Sequence, residues 1–191
     1  MKRIGVILTT MVLCVAAAWL VVSCGGGGSS SDGSGLEIEL TWSTPSDPDE
    51  TDTNGTDFDL HFKDEGATWW FDSTTGPGSD CFKENPNPDW GVAGDSSDDP
   101  LLATEDGDGA GPEIITLNHP SVGMTYSVGV HSSLDRGFGP SSVSIQIYVD
   151  GALEYELLDE VMVQGAVWEV VDIGWTHSGP VFETIDVQVP D

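Results

Sequence analysis

The chain is poor in cations. Five Lys and Arg stand against 33 Asp and Glu, a formal net charge of −28 over 191 residues. With no basic surface to displace the counterions of a polyphosphate, nucleic acid is excluded as a partner. Cysteine is also scarce: Cys14, Cys24 and Cys81 are the whole set. His61, His119, His131 and His177 show no ligand spacing with one another or with Cys81, so a zinc centre is not expected. No amphipathic run of helical period exceeds a turn or two, with Leu157–Val163 the one weak candidate. No repeat of fixed period is visible. Gly-x-Ser-x-Gly and a lysine-bearing phosphate loop are both missing, which removes two common enzyme signatures.

The N-terminus is an address. Met1-Lys2-Arg3 is basic, Ile4–Val22 is mostly apolar, and Ser23 stands directly before Cys24. This is the build of a secretory signal, and the cysteine at the break resembles the lipobox of bacterial lipoproteins. The expectation is a signal peptide over 1–23, with lipid on the Cys24 sulfur anchoring the protein to a membrane of the bacterial cell envelope, the outer membrane in particular. An uncleaved membrane anchor is the alternative, since the apolar run is about long enough to span. Residues 24–35 are Gly/Ser-rich and read as a flexible tether. Residues 36–191 then suit a single domain with a real core. In that domain Cys81 is alone, so no intrachain disulfide forms. Its neighbour Asp80 disfavours a thiolate, and a buried, inert thiol is expected.

Strand signals run through the domain. Leu36, Ile38, Leu40 and Trp42 alternate with Glu37, Glu39 and Thr41, the mark of a half-buried strand. Phe58, Leu60 and Phe62 alternate with Asp57, Asp59 and His61. Thr68–Phe71, Ile114–Leu117, Met124–His131, Val143–Val149, Val167–Trp175 and Val181–Val189 read as further strands. Asp150-Gly151 marks a hairpin into Leu153, Tyr155 and Leu157. Val167, Glu169, Val171 and Ile173 mix the pattern, which singles out neither face as the buried one. The segment from Asp72 to Asp99 is long and irregular, with Phe82, Trp90 and Val92 expected to pin it down. The predicted fold class is all-β, an antiparallel β-sandwich of about eight or nine strands with long acidic loops; a closed barrel is the alternative.

Chemistry, if any, lies with the acids. Asp57 and Asp59 are two apart on a strand and so share a face with His61. Asp106, Asp108 and Glu113 lie in a loop that Gly107, Gly109 and Gly111 allow to curl, offering the oxygen-rich, flexible cage that calcium takes. Asp47, Asp49, Asp52 and Asn54 form a third cluster, and Asp95, Asp98 and Asp99 a fourth. None matches the EF-hand pattern, and a solvated acidic turn is the plain alternative for each. Trp69 and Trp70 are adjacent, so a strand would face one of them outward. With Trp90 they make a possible ligand surface for sugars. Paired acids also leave a glycosidase-like arrangement open, but acids in most turns produce such pairs by chance.

These residues carry a resemblance. Leu40-Thr41-Trp42, Asp57-Phe58-Asp59-Leu60-His61, Asn85-Pro86-Asn87-Pro88-Asp89-Trp90-Gly91, Asp108–Glu113 and Tyr126–His131 keep one order. That order resembles the uncharacterised YfaP-like exported β-sandwich domains, with their L-x-W, D-x-D-L-H, N-P-x-P-D-W-G, G-x-G-P-E and Y-x-V-x-V motifs. It covers about Leu36–Gly151 and leaves the last forty residues out. The resemblance implies a non-catalytic exported domain with no established substrate, in which Asp57, Asp59 and the Gly-Pro-Glu loop form one constellation. The expectation is therefore a lipid-anchored surface or structural domain, not an enzyme, that binds calcium through Asp57, Asp59, Asp106, Asp108 and Glu113. A carbohydrate-binding module is the alternative, and any glycan or protein partner is undefined.

Overall fold

The computed structural model describes residues 35–67, 70–76 and 78–191. The expected signal, Cys24 and Trp69 lie outside the described residues, as does the tether except for Gly35. Among the described residues every regular element is a strand. There are ten: β1 (Leu36–Ser43), β2 (Asp57–Asp64), β3 (Asp80–Cys81), β4 (Pro100–Thr104), β5 (Glu113–Leu117), β6 (Thr125–Leu134), β7 (Ser141–Val149), β8 (Ala152–Met162), β9 (Ala166–Thr176) and β10 (Gly179–Pro190). One sheet has the order β4-β5-β1-β7-β8 and the other β10-β9-β6-β2-β3. All pairings are antiparallel. Two separate sheets with free edges make a sandwich rather than a barrel.

The core is the sum of the alternating faces. Ile38, Leu40 and Trp42 of β1, Ile115 and Leu117 of β5, and Val143, Ile145 and Ile147 of β7 come from the first sheet. Phe58, Leu60 and Phe62 of β2, Tyr126, Val128 and Val130 of β6, and Trp168 and Ile173 of β9 come from the second. Each large side chain so buried contributes about 1.5–3 kcal/mol relative to exposure. The mixed pattern of β9 has a local cause. Val128 pairs with Val171 while Gly129 pairs with Glu169, so Val170 is an extra residue in the ladder. Such a bulge shifts the alternation by one, and Trp168, Val170, Val171 and Ile173 are all buried.

Three expectations change. Trp70 and Phe71 lie in a turn, not a strand. The weak helix candidate Leu157–Val163 falls mostly within β8, at a sheet edge. Val92 is 66 % exposed and pins nothing. Phe82 and Trp90 do hold the long segment, on opposite sides of β2. Trp90 packs inside between Phe62 and Tyr126, at 5.3 and 5.8 Å between ring centres. Phe82 stacks outside on His61 at 4.8 Å. The segment that carries Phe82 and Trp90 thus wraps the β2 edge and covers part of its outer face.

Candidate functional site

The alternation of β2 sends Phe58, Leu60 and Phe62 inward, so Asp57, Asp59, His61 and Lys63 share the outer face. The covering segment makes that face an interior. Asp59 is 5 % exposed, Asp57 7 % and His61 fully buried. Buried carboxylates need donors or counter-charges, and the covering segment brings a cation. Lys83 Nζ lies 2.7 Å from Asp57 Oδ2 and 2.9 Å from Asp59 Oδ1. On the other flank His131 Nδ1 is 3.5 Å from Asp59 Oδ2, and its Nε2 is 3.1 Å from Asp191 Oδ2.

Charge states follow from these contacts. Burial opposes charge on Asp59, but His131 and Lys83 outweigh it and hold the carboxyl below its usual range. Burial opposes charge on Lys83 too, and the two carboxylates hold its ammonium protonated above the usual lysine range. His131 is likewise raised, because Asp59 and Asp191 outweigh its burial.

Behind this row stands Glu113, fully buried at the start of β5. Its Oε2 accepts the Leu60 N–H at 2.6 Å, which ties the first sheet to the second. The β3 pairing is confined to Phe62 and Lys63, so no β3 residue pairs with Leu60. Burial pushes the Glu113 carboxyl up to about 9, with Asp59, Glu105 and Asp57 adding to the rise. Its Oε1 and Asp57 Oδ1 are buried and accept no hydrogen bond.

The acidic loop does lie along the start of β2. Gly55 donates its N–H to the Asp108 carbonyl at 2.9 Å, and Trp42 donates to the Ala110 carbonyl at 3.2 Å. A Cβ at Gly55 would stand 2.2 Å from the Asp108 oxygen, so only glycine permits this approach. The carboxylates are another matter. Asp106 accepts the N–H groups of Asp108 and Gly111 within its own loop, and Asp108 joins the strand through its backbone. Of the five expected ligands, Asp57 and Asp59 share the Lys83 ammonium, Glu113 bonds the Leu60 N–H of the same strand, and the Asp106 carboxylate and Asp108 serve the loop. Among the described residues no three His, Cys, Asp or Glu side chains are grouped as metal ions require. In the other two acidic clusters Asp47, Asp49, Asp52 and Asp95 each accept the N–H two residues on, as in turns, while Asp98 and Asp99 accept the N–H groups of Val92 and Trp90.

A cleft of about 590 Å³ opens over the row, lined by Asp57, Asp59, Phe71, Phe82, Lys83 and His131 among others. That is the size of a small-ligand site. Phe71 is 39 % exposed at this cleft, and its φ is 68°, an uncommon and costly value for a bulky residue. Asp80 holds it there, accepting the Phe71 N–H at 2.8 Å while pairing with His61 Nδ1 at 2.6 Å.

The tryptophans divide. Trp90 is 3 % exposed and belongs to the core, which corrects its reading as a ligand surface; its indole N–H is satisfied by the Ser79 carbonyl. Trp70 is half-buried, with its indole bonded to Glu169 and under the Lys63 ammonium. Cys81 is fully buried, and burial with Asp80 pushes its thiol far up, as an inert thiol requires. Sequence reasoning missed Lys83, Asp80, Phe71 and His131 as parts of one site. Scarcity was the available signal for Lys83, since Lys63, Lys83 and Arg136 are the only Lys or Arg after residue 3.

No protein-family model and no curated protein matches the chain. A solved structure titled "Crystal structure of unknown function protein SAV2460" is similar, with TM-score 0.51 and 16 % identity over 83 % of this chain and 89 % of that one. At this identity the likeness concerns the fold alone.

Proposed function

We propose that the chain is a lipid-anchored, non-catalytic domain of the bacterial cell envelope that binds calcium on the outer face of β2. Anchoring rests on the Ser23-Cys24 break in the sequence. The observation that carries the ion site is the pair Asp57 and Asp59, two buried carboxylates side by side that already draw one cation between them. Asp57 Oδ1 adds a buried oxygen without a donor. Such atoms are costly inside a protein unless a partner satisfies them. The donor set is oxygen-only, as calcium prefers, with water in the cleft supplying the remainder of its six to eight ligands. Bound there, the ion would supply the charge that two buried carboxylates need.

Calorimetry on wild type and Asp59→Asn tests the reading. Wild type is expected to bind calcium with measurable heat. At 100-fold excess over Kd it gains about 2.7 kcal/mol of stability, and the variant loses both effects. Absence of heat together with an unchanged melting temperature in wild type would remove calcium. The glycan alternative no longer involves Trp90; what favours it is Phe71, exposed in a cleft beside carboxylates. Binding to a glycan array that Phe71→Ala abolishes, with the melting temperature retained, would select it.

A further inference from the structure

We infer that the outer face of the second sheet binds a linear, uncharged glycan in two adjoining pockets, one on each side of the turn that carries Trp70 and Phe71. This rests on the glycan reading of the cleft and involves no ion. The first pocket is the cleft of about 590 Å³ at Phe71. The second, of about 160 Å³, is lined by Lys63, Trp70, Ser127, Glu169 and Asp172 among others.

Register places both pockets on one face. Lys63 pairs with Ser127 and Ser127 with Asp172, while Asp59 pairs with His131. Directly paired residues share a face, so these two polar rows lie together on the outer surface. Between them is the level of His61 and Gly129. The Trp70 ring lies against Gly129, and the Phe71 ring stands 4.7 and 4.8 Å from the rings of His61 and His131. One aromatic thus serves each pocket.

The two pockets repeat one composition: an aromatic ring, a lysine, carboxylates and a serine. Lys63 and Lys83 are the lysines after residue 3 in a chain with 33 acids, and each lines one pocket. Lys63 Nζ is 4.8 Å from the Trp70 ring centre, and Lys83 sits at Asp57 and Asp59. An ammonium only donates and an ionised carboxylate only accepts. Side by side they satisfy a hydroxyl, which does both, and they present no single sign of charge. A sugar ring adds an apolar face for the aromatic to cover. An anionic polymer would meet a net charge of −28, and a cationic one would meet a lysine in each pocket. Like pockets in a row match a chain of repeated units. Asp80 accepts the Phe71 N–H and Glu169 the Trp70 indole N–H, so both rings are held in place before a ligand arrives.

The test uses the full-length chain with ¹³C-labelled lysine, in chelator. The probes are neutral gluco-, manno- and galacto-oligosaccharides from single sugars to hexasaccharides, with glucuronate and glucosamine oligomers as charged controls. Lys2, Lys63 and Lys83 give the signals, assigned by single substitution. Short neutral members are expected to move the Lys83 resonance alone and longer ones the Lys63 resonance as well. Affinity is expected to rise at least about tenfold over the series. Trp70→Leu and Lys63→Met should each remove that gain and leave short members within about twofold of wild type. Lys63→Met keeps the indole, so the test stands even where Trp70→Leu loses its fold. Affinity independent of length, or a Lys63 resonance unmoved by long members, would overturn the second pocket and leave the cleft standing. Tighter binding of charged than of neutral oligomers would overturn the ligand class. Absence of binding by every neutral member would overturn this inference and the glycan reading together.

Discussion

Glu113 shows how a single side chain can join two sheets at a cost that depends on pH. It offers Oε2 to the Leu60 N–H from a fully buried position. Its carboxyl is pushed from an ordinary value of 4.5 up to about 9, first by burial. Between those two values the unfolded chain has released a proton that the folded chain keeps. Stability therefore falls as pH rises through that window, by at most about 1.4 kcal/mol per pH unit for one group. Glu113→Gln keeps an acceptor for Leu60 and removes the titration. Its urea-derived stability is expected to decline less steeply than that of wild type from pH 5 to 9, the remaining slope coming from His131, whose pKa is also raised in the fold. Parallel profiles would mean that Glu113 ionises in the folded state like an exposed acid. Glu113→Ala orphans the Leu60 N–H and is expected to cost about 1–3 kcal/mol even at pH 5. At this scale Asp57 and Asp59 were legible, because a spacing of two on a strand places them on one face. Their partner was not. Lys83 lies 26 residues from Asp57 across an irregular segment, and no periodicity relates the two.

The element that decides access to the site is the turn carrying Trp70 and Phe71, and it depends on a glycine in another strand. A Cβ on Gly129 of β6 would stand 2.8 Å from Trp70 Cη2, so the bare backbone is what lets the indole lie over the sheet. Gly129→Ala is expected to lift Trp70 and cost about 1–3 kcal/mol, the usual range for overpacking. Trp70→Leu relieves the clash, so a double-mutant cycle in urea should show the pair strongly non-additive; simple additivity would separate the two residues. Strands with clean alternation, such as β1, β2 and β7, were legible, and so was the Asp150-Gly151 turn, whose φ values of 53° and 77° are those of a hairpin turn. The Trp70 turn was not. Two adjacent aromatics look like a strand, and the groove above Gly129 and the Glu169 and Asp80 carboxylates hold them otherwise. β8 was blurred for a different reason. It lies at a sheet edge, where Leu153, Leu158 and Val161 stay exposed and the two faces are less distinct.

For the whole molecule, the question is whether its charge acts diffusely or at a site. At −28 the folded chain repels itself, so any added salt will help it. The sequence invited a cation at every acidic loop, but the structure gives most of those carboxylates backbone work. Asp72 and Asp135, like the four turn aspartates above, accept the N–H two residues along, which is why composition alone overstates the number of ion sites. Diffuse and local effects separate by titration. Raising sodium chloride from 0.01 to 0.1 M shortens the screening length from about 30 to about 10 Å. That change is expected to raise the melting temperature of wild type and Asp59→Asn by the same amount, because it acts on the total charge. Calcium at matched ionic strength should then add a further rise in wild type and none in Asp59→Asn, since among the described residues the pair at Asp57 and Asp59 gathers two buried carboxylates around one cation. If calcium and sodium at equal ionic strength move wild type equally, screening accounts for the whole response, and Lys83 is the permanent counter-charge of the pair.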